Sequence, residues 1–213
     1  MNFIFIILTF LISAVIARIL IPRILLISLR KKLFDIPDDR KIHKRAIPRL
    51  GGVSFFPTTL FAFCLVYAFR LLDGDSISTL YASYLLPELL LFACGMTLLY
   101  LTGIADDLVG VRYRQKFAIQ IFCACLFPLS GLWINDLYGL FGIHELSAYV
   151  GIPFTVLTVV FITNAINLID GIDGLASGLS SVALLVFTFL FISKGLWSYA
   201  MLSACLLYTS PSP

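Results

Sequence analysis

Charge is what this sequence has least of. Its 213 residues include 15 Lys or Arg and 12 Asp or Glu, so 13% are charged and 60% hydrophobic. A soluble domain runs near a quarter charged and half apolar. So few charges cannot cover a water-facing surface, which excludes a soluble domain, and the apolar excess excludes disorder. The five cysteines, at 64, 94, 123, 125 and 205, all fall in apolar stretches. They read as small buried hydrophobes rather than as a disulfide framework or a metal cluster. The N-terminus, Met1-Asn2-Phe3, has no basic segment, and no small-residue cleavage signal follows, so the first apolar stretch reads as a retained helix. Internal repeats are absent. So is the strict alternation of a barrel strand. What is left is an integral membrane protein built from helices, with mean hydropathy +1.01.

Stretches free of Asp, Glu, Lys, Arg and His run over residues 1–17, 50–69, 89–105, 117–135, 146–169, 174–193 and 195–213. A hydrocarbon core about 30 Å thick needs roughly 20 apolar residues. Most stretches meet that length, and the first gains it by continuing past Arg18. An all-α polytopic fold with about seven transmembrane helices is expected. Residues 1–213 are read as one transmembrane domain, with loops near 28–49, 106–116 and 170–174. Cations crowd two of these loops: Arg30, Lys31, Lys32, Arg40, Lys41, Lys44, Arg45 and Arg49 in the first, and Arg112, Arg114 and Lys116 in the second. The intervening loops carry only Arg70 and Lys194. The positive-inside rule then puts the three loops in the cytoplasm and the N-terminus outside, in a multi-pass protein of the plasma membrane.

The carboxylates cluster on those loops. Asp106 and Asp107 end the third stretch. They repel each other and face the negative end of a helix dipole, so a cation must be close. Either a divalent metal or the following Arg/Lys group could supply it, and a solvated loop in which Arg112 and Arg114 satisfy the acids is the plainer reading. Residues Asn164, Asn167, Asp170 and Asp173 recur every three positions, with Gly171 and Gly174 between and after the acids. Asn carbonyls and carboxylates are hard oxygen donors suited to Mg²⁺, with Mn²⁺ as the alternative. Asn164 and Asn167 lie in an apolar run, where an unpaired amide is costly; an Asn-lined helix contact would also place them there. In the first loop, Arg40, Lys41, His43 and their neighbours suit a pyrophosphate or a phospholipid head group, or else serve only as a surface polybasic patch. The three loops are expected to converge at one membrane face. That combination suits a metal-dependent reaction on phosphates with a membrane-embedded partner.

At these residues the sequence resembles the polyprenyl-phosphate N-acetylhexosamine-1-phosphate transferase family. Its signatures are present in order: Asp35-x-Pro37-x-x-Arg40-Lys41-x-His43 with Pro48-x-x-Gly51-Gly52; Asp106-Asp107 with Arg112, Lys116 and Gln120; and Asn164-x-x-Asn167-x-x-Asp170-Gly171-x-Asp173-Gly174-Leu175-Ala176. The first loop is closer to the UDP-N-acetylglucosamine branch than to the UDP-N-acetylmuramoyl-pentapeptide branch. The resemblance implies attack of undecaprenyl phosphate on the β-phosphorus of UDP-N-acetylglucosamine, giving undecaprenyl-diphospho-N-acetylglucosamine and UMP, with no nucleic-acid partner. It implies catalytic roles for Asp106, Asp107, Asp170 and Asp173. Substrate binding would fall to Arg40, Lys41, His43, Arg112, Lys116 and Asn164, and metal binding to Asn167 and Asp170. The family has ten or eleven spans and a later Gly-Asp-x-Gly-Ser loop, which does not occur in this sequence. A C-terminally truncated chain with little or no activity of its own is therefore expected. An ion-coupled transporter using the same four acids is the rival of a different class; it calls for acids near mid-membrane and inverted repeats, neither of which the sequence shows.

Overall fold

The computed structural model describes residues 2–30, 34–35, 47–48, 51–72, 76–169 and 175–209. They form seven α-helices: α1 (Asn2–Arg30), α2 (Phe55–Leu72), α3 (Ser76–Val109), α4 (Tyr113–Leu129), α5 (Ala148–Ile169), α6 (Leu175–Ser193) and α7 (Trp197–Thr209). Between α1 and α2, Phe34–Asp35 pairs antiparallel with Ile47–Pro48, and Gly51–Ser54 forms a 3₁₀ turn that enters α2.

Five segments are long and apolar enough to cross a membrane: Phe3–Arg30, Gly52–Leu72, Leu85–Val109, Ala148–Ile169 and Leu175–Ser193. The chain is thus a multi-pass, all-α membrane protein. Helix α1 does run on past Arg18, to 29 residues, or about 44 Å at 1.5 Å per residue. Large apolar side chains such as Phe161 and Phe189 stand outward, 71% and 69% exposed, as a lipid-facing surface requires.

Two helices are shorter than the uncharged stretches predict. Helix α4 has 17 residues and α7 has 13. The stretch 117–135 ends as helix at Leu129, because Gly131 follows with φ +90°. The Leu132 N–H bonds the Phe127 carbonyl and the Gly131 N–H bonds the Pro128 carbonyl, both at 3.0 Å. These are the paired bonds of a Schellman cap, which only a residue at ease with positive φ completes cheaply. Lack of charge carries no information about that stop. Helix α6 ends on the same paired bonds, from Leu196 to Phe191 and from Gly195 to Ile192.

The helices gather into two compact units, Met1–Asp75 with Ile169–Pro213, and Ser76–Leu168. In the first unit α7 lies against α1, α2 and α6. Beside the larger Val66 and Met201, many buried positions there are small or hydroxylic: Ser13 and Ala17 on α1, Thr58 and Ala62 on α2, Ala200, Ser203 and Ala204 on α7. Small side chains let helices approach closely where lipid supplies no hydrophobic drive. The Ser13 and Ser203 hydroxyls bond carbonyls of their own helices, Ser13 Oγ to Phe10 at 2.8 Å and Ser203 Oγ to Tyr199 at 2.7 Å. Trp197 meets the ring of Phe3 edge-on, with centroids 5.2 Å apart.

In the second unit α3 and α4 form a hairpin that crosses at the buried Gly95, whose carbonyl accepts from Cys123 Sγ at 3.5 Å. The α4–α5 connection folds back on α5. The Ile134 N–H donates to Thr155 Oγ1 at 2.8 Å, and Trp133 covers Gly151. A Cβ built on Gly151 would stand 2.5 Å from the Ile134 carbonyl oxygen and from the Trp133 ring, so the close approach requires glycine.

The substitution Gly151→Ala is therefore expected to lower stability by about 1–3 kcal/mol, the usual cost of overpacking. Thermal unfolding in detergent checks this; an unchanged midpoint would contradict the contact.

Candidate active site

The acids Asp106 and Asp107 occupy the last turn of α3, and the turn after them explains their arrangement. Gly110, with φ +77°, closes the helix by bonding its N–H to the Asp106 carbonyl at 3.0 Å. The chain then reverses into α4. That reversal brings Val111 N–H to Asp106 Oδ1 at 3.0 Å and Lys116 Nζ to Asp106 Oδ2 at 2.6 Å. The cation that two adjacent acids at a helix C-terminus demand is thus Lys116, one turn into α4. Both members of the pair are about one-third exposed, so water reaches it and its strength is that of an interfacial ion pair. Asp107 is half-buried beside it.

Neither arginine of the same loop takes the place of Lys116. Arg112 caps the start of α4, its carbonyl accepting the Gln115 and Lys116 N–H groups at 3.0 and 3.1 Å. Arg114 donates from Nε to the Tyr113 hydroxyl at 2.9 Å and lies over that ring, 5.7 Å from its centroid. Both side chains are exposed.

One turn beyond Lys116 on the same helix face is Gln120, 6% exposed and the only buried amide side chain among the described residues. Its Oε1 accepts from Asn164 Nδ2 at 2.8 Å, and the same Nδ2 donates to the Val160 carbonyl at 2.8 Å. Asn164 is thus fixed to α4. Asn167, three residues further along α5, is exposed. Sequence reasoning named Asn164 and Asn167 as site residues and Gln120 as part of the Asp106-Asp107 signature, but gave Gln120 no role. The available signal was an amide set in an apolar helix, which has to find a partner.

The second unit therefore brings together Asp106, Asp107 and Lys116, with Gln120 and Asn164 linking α4 to the last turns of α5. Arg40, Lys41 and His43, and also Asp170 and Asp173, lie outside the described residues, and the expected meeting of the three loops falls on them. Among the described residues no three His, Cys, Asp or Glu side chains gather into a metal cluster. Asn167 lies on the last turn of α5, and Asp170 and Asp173 follow it in the sequence.

The sequence profile of glycosyl transferase family 4 matches residues 89–210. The chain is 30% identical over 191 residues to a probable undecaprenyl-phosphate N-acetylglucosaminyl 1-phosphate transferase of Bacillus subtilis (strain 168), covering 89% of this chain and 49% of that protein. It is 29% identical over 189 residues to an undecaprenyl-phosphate alpha-N-acetylglucosaminyl 1-phosphate transferase of Yersinia pestis, covering 85% and 47%. A phospho-N-acetylmuramoyl-pentapeptide-transferase of Staphylococcus carnosus (strain TM300) is 30% identical over 198 residues, covering 86% and 58%. The chain spans about half the length of the curated relatives it matches.

Two substitutions test this geometry. No atom lies within 4 Å of a Cβ built on Gly110, so Gly110→Ala is expected to cost roughly 1–2 kcal/mol from the left-handed backbone alone, read as a lower unfolding midpoint. A double-mutant cycle of Asp106→Asn and Lys116→Met is expected to give a coupling of about 0.2–1 kcal/mol, because the pair is partly hydrated; zero coupling would mean the bond does not persist in solution.

Proposed function

Since the chain belongs to glycosyl transferase family 4, we propose that it serves the transfer of N-acetylglucosamine 1-phosphate from UDP-N-acetylglucosamine to undecaprenyl phosphate. A phosphate oxygen of the lipid attacks the β-phosphorus of the nucleotide sugar, the bond from that phosphorus to the bridging oxygen breaks, and UMP leaves. The product is undecaprenyl-diphospho-N-acetylglucosamine. Phosphoryl transfer of this kind proceeds by positioning and charge neutralisation and requires no covalent enzyme intermediate, so direct attack is the simpler course.

The observation that carries the reading is the Lys116–Asp106 pair beside Asp107, in a chain that matches this family. Lys116, held by Asp106, offers an ammonium to the phosphate of the lipid, while Asp107 takes the proton of that phosphate and so activates it for attack. An apolar cavity of about 140 Å³ between α3, α4 and α5, bordered by Met96, Leu99, Gln120 and Cys123, suits the first units of a prenyl chain. Arg40, Lys41, His43 and Arg112 are assigned to the diphosphate of the donor. The acids and amides at the end of α5 fit Mg²⁺ by the hardness of their oxygens, Asn167 through its amide oxygen and Asp170 and Asp173 as carboxylates. When bound, the ion would neutralise the diphosphate. The end of the second unit that carries Asp106 faces the cytoplasm in this proposal, and the N-terminus lies outside, by the distribution of Lys and Arg. N-acetylglucosamine is preferred to N-acetylmuramoyl-pentapeptide on the first-loop sequence and on the names of the Bacillus and Yersinia relatives.

The test is UMP release by membranes in which the gene encoding this chain is expressed, supplied with UDP-N-acetylglucosamine, undecaprenyl phosphate and Mg²⁺. Asp107→Asn is expected to reduce release by about 100-fold or more, the scale of losing a positioned charged group, with the amount inserted in the membrane unchanged. Full turnover by that variant would remove Asp107 from the reaction. Release with the muramoyl-pentapeptide donor alone would move the chain to the other branch.

A further inference from the structure

The two segments that carry the chemistry of the second unit are joined at one point inside the apolar region. Gln120 follows Lys116 by four residues on α4, and Asn164 precedes Asn167 by three on α5. Their side chains meet at 2.8 Å, with Gln120 94% buried by its 6% exposure. Both hydrogens of the Asn164 amide are committed, one to Gln120 Oε1 and one to the Val160 carbonyl on its own helix. An amide in this position cannot trade its partner for water, as a surface amide can.

We propose that Gln120 and Asn164 form a positioning pair: their hydrogen bond fixes the axial and rotational register of α5 against α4, and so holds Asn167 at a set place relative to Lys116 and Asp106. Neither residue touches substrate through the bonded atoms. This reassigns Asn164 from the substrate-binding role expected from sequence to one exercised through Asn167. The carbonyl bond to Val160 locks the Asn164 rotamer, so a shift of α5 along its axis cannot be absorbed by that side chain. A register shift of one residue would move Asn167 by about 1.5 Å and turn it by about 100°, away from whatever it serves. The connection after α4 is tied to α5 at the far end of the unit, where the Ile134 N–H donates to Thr155 Oγ1. Among the described residues, the Gln120–Asn164 bond is the α4–α5 side-chain bond near the chemistry. The functional consequence rests on the transferase reading above; the register claim does not.

The experiment uses reciprocal exchange. Gln120 and Asn164 differ by one methylene, so Gln120→Asn shortens the bridge, Asn164→Gln lengthens it, and the double exchange restores its length. The first readout is the distance distribution between spin labels at Phe117 and Leu168, both exposed, in nanodisc-embedded protein with the native cysteines replaced by alanine. Gln120→Asn and Gln120→Leu are expected to broaden the distribution about twofold, and the double exchange to narrow it again. The second readout is UMP release by the unlabelled protein. Each single exchange is expected to lower kcat by about 10- to 100-fold, as misplacement near 1 Å does, with the KM for UDP-N-acetylglucosamine little changed, and the double exchange to recover most of the loss. A purely structural role would lower the yield of folded protein and leave kcat per folded molecule unaltered. Unchanged distances in Gln120→Leu overturn the register claim, as does a double exchange no narrower than its parents. Undiminished kcat in both single exchanges overturns the positioning role. Absence of release from the protein expressed from the whole gene counts against the transferase reading, while the distances still decide the pair.

Discussion

In hydrocarbon there is no water to bond a stray N–H or C=O, and that constraint shapes every level of this protein. It makes helices of all the long apolar stretches. It turns serine and threonine hydroxyls back onto their own backbones, as at Thr9, Thr97 and Ser203. It also explains why the longer polar side chains of Gln120 and Asn164 find each other across helices, Asn164 bonding its own Val160 carbonyl as well. The unit built around α7 meets the same constraint with many small residues and with polar contacts between helices such as Arg70 to Ser198 and Cys205 to the Thr59 carbonyl. The unit built around α4 meets it with glutamine, asparagine and a threonine that serves a loop.

The acids at the end of α3 show how a costly placement is made tolerable. Two carboxylates at a helix C-terminus are unfavourable both to each other and to the terminal carbonyls. The Gly110 turn resolves this by reversing the chain within a few residues, so that an N–H and an ammonium from the following segment reach Asp106. The turn, the cap and the ion pair are therefore one device. Asp106 serves the architecture of the turn and the orientation of Lys116.

Much of this was legible beforehand. Charge-free stretches located the helices, because a charge in hydrocarbon is expensive enough to be rare, and the clustered acids and amides marked the ends that carry chemistry. The limits were physical as well. The early stop of α4 depends on Gly131 and its paired hydrogen bonds, a backbone event that hydropathy does not register. The identity of the counter-charge to Asp106 depended on the sharpness of the Gly110 turn, which selected Lys116 over the nearer Arg112 and Arg114. The role of Gln120 required a partner 44 residues away, and no local pattern supplies one. Asn164 read from sequence either as an oxygen donor or as part of an Asn-lined helix contact, and the bond to Gln120 is a contact of the second kind; spacing along one helix says nothing of what the neighbouring helix presents. Arg40, Lys41, His43, Asp170 and Asp173 stand as sequence assignments outside the described residues.

The chain has only two tryptophans, and they fall in different units: Trp133 lies over Gly151 in one, and Trp197 sits edge-on to Phe3 in the other. Each indole is thus a native optical reporter confined to a single half of the molecule. Replacing one by phenylalanine leaves an emission signal that follows the loosening of its own bundle, so the two halves can be watched melting separately without any added dye.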